Sequence, residues 1–356
     1  MSNNIMRFGV ITAPRQAEIH EREIPDLGDD ELLIKIESCN ICTTDYELWS
    51  GRRTNQPMPM AGGHENSGVV MAKGKHVGDH FQLGDRVGIM LTQYCGECAD
   101  CRKGNTFLCR YKGETFPRSP DGYYGFFGFS TYKTAPARYC FKFHSDIPAD
   151  EAGFIEPLAT AIRSIKRARV KAGEIVVIIG AGTMGMLNAQ VARAYGAQVI
   201  ISEPLKKKRV VAQKMGFTRF IDPMDEHFAE QVNQVVGSGR IGAIIVCVGN
   251  TKANDQALEI ADMDTRIVYF AAGYPAPEVH VDSNVIHYKR LELIGTIGSD
   301  IADFEEAVEL LDSRAVNVHE LIEKRFPLDQ LQEAYELANT PGSFRVSVHT
   351  WEKHDP

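Results

Sequence analysis

The sequence predicts an α/β protein of two domains, a β-rich domain followed by a doubly wound parallel sheet. Three observations carry this. The chain has 356 residues, more than a single hydrophobic core usually serves. Its first 150 residues break into short apolar runs such as ELLIKIES, HENSGVVMAKG and GDRVGIMLTQ, punctuated by Gly and Pro. From 174 to about 288 the pattern changes to apolar runs (IVVIIG, QVIIS, GAIIVCVG, RIVYFAAG) separated by helical stretches such as MGMLNAQVARAYG and KKKRVVAQKMG. Strands alternating with helices imply a parallel sheet covered on both faces.

In order, residues 1–155 read as the β-rich domain, with a Cys-rich lobe at about 93–112, and residues 156–290 as the parallel-sheet domain. Residues 291–356 read as a return segment: a strand (LELIGTIGS), an amphipathic helix (DFEEAVELLDS), a second helix (LDQLQEAYELAN) and a last strand, FRVSVHT, whose final part is expected back on the first domain.

Charge and cysteine usage exclude several classes. A net charge of −8 offers no cationic footprint for nucleic acid or anionic lipid. There is no run of about 18 uncharged apolar residues and no apolar signal core, so a cytoplasmic, non-membrane protein is expected. Eight cysteines without an export signal point to metal or catalysis rather than a disulfide framework, and six of them fall in two tight groups.

The larger group, CGECADCRKGNTFLC, supplies Cys95, Cys98, Cys101 and Cys109. Four thiolates so spaced can close a tetrahedral shell around Zn²⁺ and leave no position for substrate, which marks a structural site. The bacterial ferredoxin run differs: its fourth Cys follows sooner and precedes Pro.

A second set of donors is scattered. Cys42 is a soft ligand, His64 is a nitrogen ligand next to two glycines, Glu65 adjoins it, and Glu156 is a carboxylate within the apolar run FIEPLAT, awkward to bury unless paired or on a metal. Mixed S, N and O donors gathered from distant segments suit a catalytic zinc. Alone, each has a simpler reading, since a lone His is more often a packing residue and Cys39 or Cys140 more often a small buried hydrophobe.

VVIIGAGTMG ends a strand, reads G-x-G-x-x-G at Gly180, Gly182 and Gly185, and opens a helix. Glycines there permit a tight turn and close approach of a pyrophosphate to the helix N-terminus. Glu203, at the end of the next strand, would accept from the ribose hydroxyls and repel a 2′-phosphate, favouring NAD over NADP; Lys206, Lys207, Lys208 and Arg209 lie close by.

With these motifs in place the chain resembles the zinc-containing medium-chain dehydrogenase/reductase family, which includes alcohol, sorbitol and threonine dehydrogenases. GHENSGVVMAKGKHV matches the family pattern G-H-E-x2-G-x5-G-x2-V. The resemblance implies a GroES-like catalytic domain and a Rossmann coenzyme domain. It also implies Cys42, His64, Glu65 and Glu156 around the catalytic zinc, and the Cys95, Cys98, Cys101, Cys109 quartet around the structural one. Glu156, where alcohol dehydrogenases have Cys, points to the polyol and threonine branch. For the cofactor it implies Gly180, Gly182, Thr183, Met184, Gly185, Glu203, Lys208, Val248 and Gly249.

Catalytic roles follow by the same resemblance. Thr44 is the relay hydroxyl, Asp45 fixes the His64 tautomer, and Glu47 stands where the family often has a proton-passing His. Asn40 and Thr43 replace the usual glycines around the Ile41–Cys42 pair. The expected activity is zinc-dependent, NAD-linked interconversion of a secondary alcohol (a polyol, sugar alcohol or hydroxy-amino acid) and its ketone. The alternatives are a physiological ketone or aldehyde reductase of the same family and a non-catalytic nucleotide-binding protein. The partners expected are the small alcohol or ketone and copies of the chain itself, a tetramer being favoured over a dimer. Trp49, Phe116, Tyr123, Phe127 and Phe129 are candidate pocket walls, and Arg52, Arg53 and Arg118 candidate contacts for an anionic substrate end.

Overall fold

The structure, a computed structural model, describes residues 4–351 apart from Asn55 and Thr115, so residues 1–3 and 352–356 of the expected first domain and return segment lie outside it. The chain forms two compact units, one of Met1–Glu156, Asp300–Ser313 and Ile322–Pro356, the other of Pro157–Ser299 and Arg314–Leu321.

The first unit is built on two sheets. Its larger, seven-stranded sheet runs Ile322–Pro327, Arg345–His349, Glu31–Asn40, Glu65–Lys73, Arg86–Ile89, Cys140–Lys142, with Tyr132–Pro136 also pairing to Glu31–Asn40. The alternation in ELLIKIES sends Leu32, Ile34 and Ile36 to one face, where they pack with Val70, Val87 and Ile89. A four-stranded sheet of Gln16–Glu23, Ile5–Ala13, Met60–Ala61 and Tyr124–Gly125 carries Met6, Phe8 and Val10 into a second cluster.

The late strand Arg345–His349 pairs antiparallel to Glu31–Asn40, with Val348 opposite Cys39 and Ser347 opposite Asn40. Its alternating apolar residues Val346 and Val348 are fully buried there. This pairing carries residues from the end of the chain to the strand that precedes Cys42.

The second unit is a six-stranded all-parallel sheet in the order Phe220–Ile221, Gln198–Ser202, Ile175–Ile179, Ile241–Val246, Arg266–Tyr269, Glu292–Gly295. Numbered by sequence this is 3-2-1-4-5-6, the dinucleotide-binding order, with its switch point between the strands ending at Ile179 and Val246. All five residues of Ile175–Ile179 are buried, as a strand covered on both faces requires. Glu292–Gly295 joins as the sixth strand, so this sheet runs on past residue 290. Among the described residues no helix is long and apolar enough to cross a membrane.

Candidate active site

In the first unit, donor atoms of Cys42, His64 and Glu65 lie within 4.8 Å of one another. Each arrives from a different local structure. Cys42 is the N-cap of the short helix Thr43–Trp49, with extended backbone angles. Glu65 opens the strand Glu65–Lys73. His64 follows Gly63, whose φ is +86° and where a Cβ would come to 2.8 Å from both the Cys39 sulfur and the Phe129 backbone nitrogen. Only glycine fits there, so GGH is what lets the imidazole enter the cluster.

Asp45 ties these segments together. One carboxylate oxygen accepts from the Cys42 backbone N–H at 2.9 Å and the other from the Gly63 N–H at 3.2 Å. Its distance to His64 Nδ1, 3.7 Å, is beyond hydrogen-bond length, so Asp45 acts on His64 by charge and by holding the backbone.

Glu65 is fully buried and accepts two hydrogen bonds from Arg345, from Nε at 2.8 Å and Nη2 at 2.6 Å, while the same Nη2 lies 3.8 Å from the Cys42 sulfur. Such a fork is the strong form of the carboxylate–guanidinium pair. Glu156, in the first turn of the helix Ile155–Arg167, is not part of the tight three-donor cluster. It is close enough to interact with His64, Glu65, Arg345 and Asp45, and burial, joined by the Glu65 and Asp45 charges, raises its pKa to about 7.

The electrostatics call for a cation. Burial opposes protonation of His64, yet Asp45, Cys42 and Glu156 outweigh it and push its pKa well above the usual range. A buried S, N and O set in so anionic a setting fits Zn²⁺. Thr44 and Glu47, on the helix Thr43–Trp49, are both half-buried.

The quartet Cys95, Cys98, Cys101 and Cys109 also converges within 4.8 Å. Backbone N–H groups of Glu97 and Cys98 point at the Cys95 sulfur at 3.4 and 3.3 Å, and that of Cys95 at the Cys109 sulfur at 3.3 Å. The Cys101 backbone N–H holds the Cys98 thiol down at about 6. These donors favour thiolates, which a zinc ion needs. The lobe is fastened by Asp300, which accepts from the Phe107 N–H at 2.8 Å. All eight cysteines are free of disulfides, and Cys39 and Cys140 are buried with thiols pushed up by burial, outside either metal cluster.

In the second unit the glycine loop sits at the sheet's switch point. Gly180 has φ +98°, and a Cβ there would meet Val248 at 2.4 Å; at Gly185 it would meet the Gly180 carbonyl at 1.8 Å. Gly182 is the N-cap of the helix Thr183–Ala194, with Lys208 Nζ 3.7 Å from the position of its missing Cβ. Glu203, almost fully buried, accepts from the Ala181 N–H at 2.7 Å and the Leu205 N–H at 2.9 Å. A Cβ at Gly249 would strike the Ala272 carbonyl at 2.2 Å. A bare-backbone cradle, a helix N-terminus, a lysine and a buried carboxylate together fit a dinucleotide.

The chain matches the family described as alcohol dehydrogenase GroES-like domain over residues 28–146 and that described as zinc-binding dehydrogenase over 183–313. It is 31% identical to the 2-dehydro-3-deoxy-L-galactonate 5-dehydrogenase of Pseudoalteromonas atlantica over 88% of this chain and 89% of that protein. This chain is a member of the zinc-binding dehydrogenase family. The dehydrogenase is also 31% identical to the L-threonine 3-dehydrogenase of Pyrococcus furiosus, over 90% of this chain and 91% of that one. Its structure matches a zinc-binding dehydrogenase from Sinorhizobium meliloti, crystallised with NADP, at TM-score 0.84 and 27% identity, covering 97% and 99% of the two chains.

Sequence reasoning about this dehydrogenase missed Arg345, 280 positions from the carboxylate it holds. The signal was an Arg at an alternating polar position of the strand FRVSVHT, which does not say what it faces. Of the suggested pocket walls, Phe127 lines the cavity beside His64. Trp49 is buried, stacked on Tyr335 at 5.8 Å, and Phe129 is core.

Proposed function

We propose that the protein oxidises a secondary alcohol in a polyol, sugar alcohol or hydroxy-amino acid to the ketone, with hydride passing to NAD. The observation that carries this reading is the convergence of Cys42, His64 and Glu65, in a chain that also builds the glycine cradle at Gly180, Gly182 and Gly185. Zinc held by Cys42 and His64, with Glu65 or Glu156 completing the set, would polarise the alcohol oxygen and lower its pKa, and NAD would accept the hydride.

The chain's own groups do the rest. Thr44 takes the hydroxyl proton and Glu47 passes it outward from the same helix. Asp45 fixes the spacing of Cys42 and His64 by binding both backbones. Arg345 grips both Glu65 oxygens and keeps the carboxylate aimed at the cluster. Thr183 and Met184 present the helix N-terminus to the pyrophosphate, with Lys208 beside it, and Val248 and Gly249 border the nicotinamide side. Cys95, Cys98, Cys101 and Cys109 would hold a structural zinc.

Glu203 supports NAD over NADP, although the S. meliloti protein was crystallised with NADP and Lys206 to Arg209 follow closely. Eight unpaired thiols support a reducing, cytoplasmic setting. The parallel sheet ends on the edge strand Glu292–Gly295, with Leu293 and nearby Ile297 exposed, which supports a homo-oligomer, with a tetramer favoured.

The test is NAD reduction across a panel of polyols, sugar acids and hydroxy-amino acids, with metal analysis of wild type and Cys42→Ser. Two zinc ions per chain, one lost from the folded variant together with all turnover, are expected. One ion in both proteins, or undiminished turnover by Cys42→Ser, overturns the reading.

A further inference from the structure

Beside His64 the first unit holds a cavity of about 220 Å³, larger than the roughly 150 Å³ that admits a benzene ring. Its charged liners are Arg22, Arg118 and Lys133, and no Asp or Glu lines it, in a chain whose net charge is −8. A cavity walled by one sign of charge in a low-dielectric setting concentrates ligands of the other.

Three liners have unused hydrogen-bonding capacity: Lys133, Asn66 and, at its Nε alone, Arg22. Lys133 lies on the strand Tyr132–Pro136, in register with Ile34 and two residues before Ala135, so it shares the inward face that Ala135 gives to the core. Among the described residues its ammonium has neither an ion pair nor a hydrogen bond. A lysine placed on that face is costly, and burial lowers its pKa to about 8. Asn66 is 1% exposed, and its Oδ1 has no hydrogen-bond partner. It stands opposite Cys39 in the sheet, and the Cys39 thiol is also one of the groups that act on Lys133. Arg22 already spends its Nη1 on Asp121 at 3.2 Å, leaving only Nε without a partner, and Arg118 is exposed.

A half-buried lysine and a buried amide oxygen, both without partners and both lining one cavity beside His64, leave polar capacity that a ligand in the cavity can use. We propose that Lys133 and Asn66 form the substrate subsite: Lys133 binds an anionic group on the alcohol, and Asn66 binds one of its hydroxyls. The substrate class is therefore a polyhydroxylated carboxylate, phosphate or sulfonate. This rests on the dehydrogenase reading above and narrows it from alcohols in general to anionic ones.

The experiment uses the zinc-loaded protein saturated with NADH, which binds alcohols without turning them over. Gluconate, glycerate, glycerol 3-phosphate and 2,3-dihydroxypropane-1-sulfonate are titrated calorimetrically against sorbitol and glycerol as neutral counterparts. At least one anion is expected to bind 10- to 100-fold tighter than its counterpart, the size of a hydrogen bond to a charged group. Which one does so distinguishes carboxylate from phosphate and sulfonate. Lys133→Met should erase that preference, Lys133→Arg should retain most of it, and Asn66→Ala should weaken anionic and neutral polyols alike. Equal binding of every anion and its neutral counterpart, or a preference surviving Lys133→Met, overturns the proposal. Turnover of the same compounds with NAD is read separately. Anion binding without any oxidation would sink the dehydrogenase reading and leave the subsite standing, whereas oxidation without anion preference would do the reverse.

Discussion

Arg345 grips both carboxylate oxygens of Glu65, at 2.8 and 2.6 Å, and the two side chains are buried together although 280 positions separate them. Removing one member of such a pair strands a buried charge, at a cost of about 3–5 kcal/mol. Arg345→Met is therefore expected to lower the melting temperature sharply in metal-free protein and less in zinc-loaded protein, where the ion offsets the Glu65 charge. Thermal denaturation with and without zinc checks this; equal losses in both would show that Glu65 is not near the metal.

Asp45 spends its two oxygens on the backbones that carry Cys42 and His64. Asp45→Ala should leave the ligands in place but loosen their spacing, so zinc affinity should fall by roughly 10- to 100-fold, the usual effect of losing an orienting partner. Competition with a chromophoric chelator measures it. An unchanged affinity would reduce Asp45 to a helix-capping residue.

The four-cysteine lobe should fail differently. Cys98→Ser removes one ligand from a closed shell, and stability should drop first, with activity per folded molecule near wild type when assayed well below the new melting point. The check is a melting curve paired with zinc stoichiometry.

Glu203 holds the loop at Ala181 and is the residue proposed to receive the cofactor ribose. Glu203→Ala should raise the KM for NAD by about 10- to 100-fold, as expected for a lost charged hydrogen bond, and lower the preference for NAD over NADP. Initial rates with both cofactors decide it; a preserved ratio would locate discrimination elsewhere.

Lys133 links substrate choice to stability. Its folded-state pKa, about 8, lies below the 10.5 of an ordinary lysine because burial penalises the charged form in the folded state. Below pH 8 the penalty is fully present; between about 8 and 10.5 the unfolded chain binds the extra proton, and stability rises with pH. Lys133→Met should thus melt higher than wild type at pH 6.5, by roughly 1–3 kcal/mol of stability, with the gap narrowing as pH climbs past 8. The groups facing Lys133 that could blur this are Cys39 and Cys140, whose thiols burial keeps protonated, together with His64, Arg22, Arg118, Tyr132 and Tyr139 of the cavity wall.

What the sequence disclosed follows from how local the physics is. The four-cysteine spacing, the glycine loop and GGHE declare themselves within a few residues, because each needs a backbone shape or donor set that neighbours in sequence supply. The alternation of ELLIKIES and the solid run IVVII likewise revealed which strands have one wet face and which have none. Arg345, Asn66 and Lys133 stayed hidden because their meaning depends on register: which strand lies beside which, and which face points inward. Lys133 in particular reads as an ordinary surface lysine until Tyr132–Pro136 is paired with Glu31–Asn40.

The pairing of Arg345–His349 beside the segment leading to Cys42 has a bearing on biosynthesis. A nascent chain that has emerged only through Glu65 carries all three donors yet lacks the guanidinium that neutralises one of them, so the pocket matures only after synthesis has run on through Arg345. Products that stop short of Arg345 would carry an uncompensated acid beside Cys42 and His64.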